Sequence, residues 1–190
     1  MSQGDPADHV QLLIDGRVKV WRDEPEGKKI VLAVRWPGEL LGERGLFGDT
    51  RRTASVAAID PCRTVRIRAD RFDRLVRGLR LENVVLQYFI SRLEEGERFR
   101  ADLMVPSAVW RIARCLVKLA DTALRHQPAA TEIDVGLARA DLASVVGVTR
   151  QTVHAVMKKL QDDGVVTVRN RRIVVLDLPE LRNRTGFQSP

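Results

Sequence analysis

Between residues 10 and 70 the apolar positions come in short runs bounded by glycine, proline and aspartate. VQLLIDGRVKVW reads as two short strands around Asp15-Gly16, and Lys29 to Val34 as another after a turn at Glu24 to Gly27. Ala54 to Ile59 and Arg63 to Ile67 come next, punctuated by Pro61. Closely spaced strands with glycine turns predict a jelly roll or small barrel. From Arg71 the period lengthens: Phe72, Leu75 and Val76 suggest a short helix. Leu81 to about Val105 then forms one long helical pattern through Val85, Leu86, Phe89, Leu93, Phe99 and Leu103. That stripe is longer than one side of a small core needs, so it packs against a twin in a dimer or serves as a single connector. Pro106-Ser107 ends it, and Ser107 is placed to cap a helix from Val109 to Leu124. A polar stretch, Arg125 to Thr131, leads to a short strand at Glu132 to Val135. The tail after Leu181 reads as disordered.

The most informative pattern is ARADLASVVGVTRQTVHAVMKKL, Ala138 to Leu160. Leu142 and Val146 give a first helix its stripe; Val148, Val153, Val156 and Leu160 give the second one. Gly147 stands where the chain must turn sharply, since glycine takes positive φ without a Cβ clash. Ala143 is small enough for the helices to approach, and Thr149 is a fitting N-cap. This is the spacing of a helix-turn-helix, although an ordinary helical hairpin in a core has a similar pattern. The segment C-terminal to the second helix separates the two. After Asp162-Asp163-Gly164 comes VVTVRNRRIVVLD, two β-branched runs around Arg169-Asn170-Arg171, which is a hairpin with a basic tip. Helix-turn-helix plus basic hairpin is a winged helix. Thr149, Arg150, Gln151, Thr152, His154 and Lys158 lie off the apolar stripe, where they can reach base edges and phosphates.

The net charge of +7 over 190 residues suits a polyanionic partner. No apolar run of transmembrane length and no signal-peptide pattern at Met1 to Val10 is present. Cys62 and Cys115 are too few and too far apart for a disulfide framework or an iron–sulfur site, and both read as reduced and buried in a cytoplasmic protein. His9, His126 and His154 are not spaced as metal ligands. No catalytic constellation stands out, so an enzyme is not expected. Arg63, Arg66, Arg68, Arg71, Arg74, Arg77 and Arg80 form a basic run, read as a solvated face and weighed against one that steers DNA or polymerase.

A second cassette runs from Pro37 to Ala54, with glycines at 38, 42, 45 and 48. A helical turn around Glu43 to Phe47 can point its N-terminus at an anion. Arg51 and Arg52 supply guanidinium groups for a phosphate, Thr53 a hydroxyl, and Glu43 an acceptor for a sugar hydroxyl. Chemically this suits a phosphorylated sugar.

In that order, GDPADHVQLLIDGRVKV, PGELLGERGLF with RRTA, a long helix and DLASVVGVTRQTVHAVMKKL with its wing, the chain resembles the Crp-Fnr superfamily, the cyclic-AMP receptor protein group. The resemblance covers nearly the whole chain, without the strands that members usually carry ahead of the first motif. It implies an α+β fold: a cyclic-nucleotide-binding-type β-roll (residues 1–80), a long dimerisation helix (81–105) and a winged helix-turn-helix DNA-binding domain (106–182), with 183–190 a disordered tail. It implies a homodimeric, cytoplasmic transcription regulator that binds a pseudo-palindromic duplex, engages RNA polymerase and has no membrane attachment. Gly42 and Glu43 would hold a ribose, and Arg52 and Thr53 a cyclic phosphate; cyclic AMP or a related cyclic nucleotide is the candidate effector. Arg139, Thr149 and Thr152 would sit on DNA phosphates, with Arg150 and Gln151 reading guanine and adenine. His154 and Lys158 add further contacts, and Arg169 in the wing touches the backbone. Gln151 and Ala155 replace a glutamate and an arginine of the archetype, so a different operator is expected. Gly96 and Glu97 stand where the family offers small hydroxyls to the adenine. A constitutive regulator with a vestigial pocket and a signalling module without DNA function remain the alternatives. A haem on His9, as in gas-sensing members, is weighed against a solvated loop histidine.

Overall fold

At Asp15-Gly16 the chain does not turn back on itself; it passes from one sheet to another. In the computed structural model, which describes residues 1–46 and 51–185, β1 (His9–Asp15) pairs with β4 (Leu40–Leu41) and β6 (Arg63–Arg68). β2 (Val18–Asp23) pairs instead with β3 (Lys29–Arg35) and β5 (Ser55–Ala58). All four pairings are antiparallel. Register runs Val10↔Ile67 and Leu12↔Val65 in the first sheet, and Val18↔Arg35 and Lys19↔Val34 in the second. Val10, Leu13, Val18, Val31, Val34, Trp36 and Leu41 are buried and form the core of this roll. Within β1, Val10 and Leu13 are buried while Ile14 is exposed, and the register shifts at a bulge between Leu13 and Asp15. Arg17 is buried against Asp60, its Nε donating to Oδ2 at 2.5 Å and Nη2 to Oδ1 at 3.1 Å, with its Cζ 5.2 Å from the centre of the Trp36 ring.

The chain divides into two compact units, Met1–Arg100 and Ala101–Pro190. The first closes with α1 (Ala69–Gly78), which buries Phe72, and most of α2 (Glu82–Leu103). None of the residues of α2 is fully buried. In the second unit α3 (Ala108–His126) starts at Ser107, whose hydroxyl accepts from the Trp110 amide at 3.2 Å. Its inner face buries Ile112, Cys115, Leu116 and Ala120. Leu142, Val146, Val153, Met157, Leu160, Ile173 and Val175 complete the core. These come from α4 (Arg139–Val146), α5 (Arg150–Asp162) and a sheet of order β7-β9-β8, made by β7 (Ile133–Asp134), β8 (Val166–Arg169) and β9 (Arg172–Val175). Met157 is fully buried, and it replaces Val156 as the middle residue of the α5 stripe, since Val153, Met157 and Leu160 occupy i, i+4, i+7.

Three expectations change. The segment after Leu181 is not disordered as far as it is described. α6 (Leu178–Asn183) is capped by Asp177, carries Pro179 in its first turn and buries Leu178 and Leu181. Beyond it Thr185 is buried, and its carbonyl accepts from Trp110 Nε1 at 2.9 Å; residues 186–190 lie outside the described residues. Cys62 is half-buried rather than buried: just before β6 it packs against the core of Leu13, Val18 and Leu41, and its thiol donates to the Arg17 and Asp60 carbonyls. His9 is no solvated loop residue: it starts β1, and its side chain is only 12% exposed. No helix among the described residues is long and apolar enough to cross a membrane.

Candidate ligand site and nucleic-acid interface

The glycine cassette folds as β4 followed by a 3-10 turn, Glu43–Leu46; Phe47 and Gly48, counted in the expected cassette, lie outside the described residues. Gly42 has φ +78°, and a Cβ on it would come within 2.2 Å of Arg52 Nη1. Only glycine allows that approach. Arg52 is buried, at 5% exposure. Its Nη1 donates to the Gly42 carbonyl at 2.8 Å and its Nη2 to the His9 carbonyl at 2.6 Å, with His9 Nδ1 3.2 Å away. Burial pulls its pKa down from the usual arginine range, and Asp8, Asp5 and Glu43 partly offset that. Both terminal nitrogens of the guanidinium are thus held by neutral carbonyls at the glycine loop. Gly42, Glu43 and Arg52 are therefore brought together. Thr53 is exposed beside them in sequence, and Arg51 points its Nη1 to the Gly4 carbonyl at 2.9 Å.

One feature of this site was not legible in the sequence pattern. Tyr88 and Arg92 of α2 reach the strand that carries the cassette. The Leu40 amide donates to Tyr88 Oη at 3.2 Å, and Tyr88 Oη lies 3.4 Å from the Leu40 carbonyl. Arg92 Nη2 donates to Glu39 Oε2 at 2.6 Å and Nη1 to Glu95 Oε2 at 2.8 Å. Arg35 shares both carboxylates, at 3.4 and 3.6 Å. Burial, then the neighbouring Arg92 charge, lowers the Arg35 pKa, and burial raises that of Tyr88. The alternating charges of the long helix were the available signal; the partner strand was not.

In the second unit α4 and α5 meet at Gly147, which has φ +64°. Val148 N donates to the Ala143 carbonyl at 3.2 Å, and Thr149 Oγ1 accepts from the Thr152 amide at 3.1 Å. Gln151, His154 and Lys158 are exposed on α5 away from the buried Val153, Met157 and Leu160, and Arg150 is exposed as the first residue of the helix. Thr152 is half-buried against the Thr149 hydroxyl, 2.8 Å away. The first turn of α5 holds no acidic residue, so no carboxylate offsets the positive end of the helix there. Arg139 is placed differently from these: it opens α4, is half-buried and donates through Nη2 to Gln161 Oε1 near the end of α5. The hairpin β8–β9 turns through Asn170 and Arg171, both with positive φ, 50° and 64°. Arg169 is exposed but forked onto Glu132, which raises its pKa through the hydrogen bond and the charge. Arg171 is exposed at the turn itself, where the sequence pattern had singled out Arg169 instead. The basic run from Arg63 to Arg80 is exposed and laced with aspartates, among them Arg66–Asp8, Arg74–Asp70 and Arg77–Asp73.

Residues 1–78 match the family model for a cyclic nucleotide-binding domain, and residues 111–184 that for a Crp-like helix-turn-helix domain. The chain is 24% identical over 184 residues to a CRP-like cAMP-activated global transcriptional regulator of Mycobacterium tuberculosis, covering 96% of this chain and 82% of that one. It is 27% identical over 179 residues to the cAMP-activated global transcriptional regulator CRP of Pasteurella multocida, covering 90% and 83%. Among solved structures it is similar to the c-di-GMP responsive global regulator CLP of Xanthomonas campestris, with a TM-score of 0.71, 28% identity and 92% and 87% of the two chains covered.

Proposed function

The chain belongs to the Crp-Fnr superfamily of transcription regulators, and from there we propose that it acts as a dimeric, sequence-specific DNA-binding regulator gated by a small anionic ligand. Residues 1–80 sense the ligand, 81–105 pair two copies, and 106–182 bind DNA. The observation that carries the DNA-binding reading is the exposed polar surface of α5, with Gln151, His154 and Lys158 turned away from the buried Val153, Met157 and Leu160 and Arg150 exposed at its first turn. Arg150 is suited to guanine and Gln151 to adenine; Thr149, Thr152 and Arg139 fall to phosphates, and Arg169 to the backbone beside the wing. Two copies read half-sites about one helical turn apart on a pseudo-palindrome, and RNA polymerase is the further partner.

For the sensing unit, the support is the buried Arg52 guanidinium beside Gly42 and Glu43. Arg52 and Thr53 would hold a cyclic phosphate, Gly42 and Glu43 a ribose. Two relatives are named for activation by cAMP and a structural neighbour for c-di-GMP, so cyclic nucleotides are the class to test. Gating requires that the ligand prefer one arrangement of the dimer. A second reading, a constitutive regulator, is favoured by one observation: the Arg52 donors are already engaged by the Gly42 and His9 carbonyls. Calorimetric titration with cyclic AMP, cyclic GMP and cyclic di-GMP decides between them, with Arg52→Ala as control. Binding at micromolar or lower concentration that Arg52→Ala abolishes supports gating. Silence with all three, while DNA still binds, leaves the constitutive regulator.

A further inference from the structure

The wing brings three arginines to one turn, and the register of its sheet treats them differently. Arg169 and Arg172 lie opposite each other at the turn end of β8 and β9. β7 joins β9 at the other end, with Ile133 opposite Val175 and Asp134 opposite Val174. Glu132, one residue before β7, is therefore at the end of the sheet remote from the turn. The Arg169 guanidinium nevertheless forks onto it, Nη1 donating to Oε2 and Nη2 to Oε1 at 2.9 Å. The side chain is thus drawn back from the turn. Arg172 behaves similarly, with Nη1 donating to Asp134 Oδ2 at 3.1 Å.

Two parallel N–H···O bonds to a carboxylate are the arrangement a guanidinium also makes with a phosphate. The Arg169 and Glu132 side chains are 57% and 47% exposed, so water screens the pair and a competing anion can reach it. We propose that Glu132 sets the DNA affinity of this protein by occupying Arg169 in the free state, so that wing docking exchanges a carboxylate for a DNA phosphate. The proposal rests on reading the second unit as the DNA-binding one. The exchange involves a phosphate and no base edge, so it weighs on all sequences equally and leaves discrimination by α5 untouched.

The test is fluorescence anisotropy of the full chain with a labelled random-sequence duplex over a series of salt concentrations. Wild type, Glu132→Gln, Arg169→Ala and the double variant are compared. Glu132→Gln keeps the shape and removes the charge; thermal unfolding verifies that its fold is retained. The expected result is about 5- to 10-fold tighter binding by Glu132→Gln at low salt, shrinking as salt rises. The double variant is then expected to bind like Arg169→Ala. Unchanged or weaker binding by Glu132→Gln overturns the proposal, as does a gain of the same size in the Arg169→Ala background. If the wild type fails to bind the duplex at any salt, both alone and with cyclic AMP, cyclic GMP or cyclic di-GMP added, the DNA-binding reading itself falls, and the proposal with it.

Discussion

Gly42 and Arg52 illustrate how far single residues reveal themselves. The sequence pattern marked both as ligand residues, and they do touch; that the arginine would be buried on the carbonyls of Gly42 and His9 had no sequence signal, because a carbonyl partner leaves no trace in side-chain identity. Gly42→Ala is expected to destabilise the first unit by about 2 kcal/mol in chemical denaturation, through the positive φ and the displaced guanidinium. It should also weaken binding of any cyclic nucleotide in calorimetry. Cys115 offers a pH-dependent prediction. Burial pushes its thiol from an ordinary 9.0 up to about 12. The folded state therefore keeps a proton that the unfolded state releases, and stability falls as pH rises from about 9 towards 12. Cys115→Ala should flatten that fall in denaturation curves at stepped pH. Native alkylation should label Cys62 and spare Cys115.

Elements were legible where their periodicity was long or their punctuation strong. The helix-turn-helix and its wing rest on the α4 and α5 stripes, the Gly147 turn and the Asn170-Arg171 turn, each a local signal. The division of the roll into two sheets was not legible, since β1 and β2 are neighbours in sequence yet do not pair with each other: β1 takes β4 and β6, and β2 takes β3 and β5. Nor was the tie between α2 and the cassette strand through Tyr88 and the Arg35, Glu39, Arg92 and Glu95 charges. All of these side chains but Glu95 are partly buried, so removing one charge leaves others poorly compensated. Arg92→Ala should lower the stability of the first unit by about 2 kcal/mol, between the values for exposed and buried pairs. Thermal unfolding followed in residues 1–100 and in residues 101–190 separately, by site-specific labels, would show the loss in the former alone.

At the scale of the whole molecule, the long helix leaves Leu86 57%, Ile90 47% and Leu93 63% exposed, at i, i+4 and i+7. Such a stripe on a helix with no fully buried residue fits the proposed pairing of two copies. Leu86→Glu is expected to yield monomers in sedimentation velocity and to weaken operator binding by about 100-fold, because two linked half-site contacts become separate ones. The same exposure bears on how the protein holds its own secondary structure. Helix stability comes mostly from packing of an apolar face, so beyond the tie at Tyr88 and Arg92 the amides of Leu86 to Leu93 gain protection when a partner covers the stripe. Hydrogen exchange there should accelerate on dilution while the amides of β1 and β2 keep their rates. Chain concentration would then act as an input to the regulator in its own right, read out as the fraction of time the long helix survives.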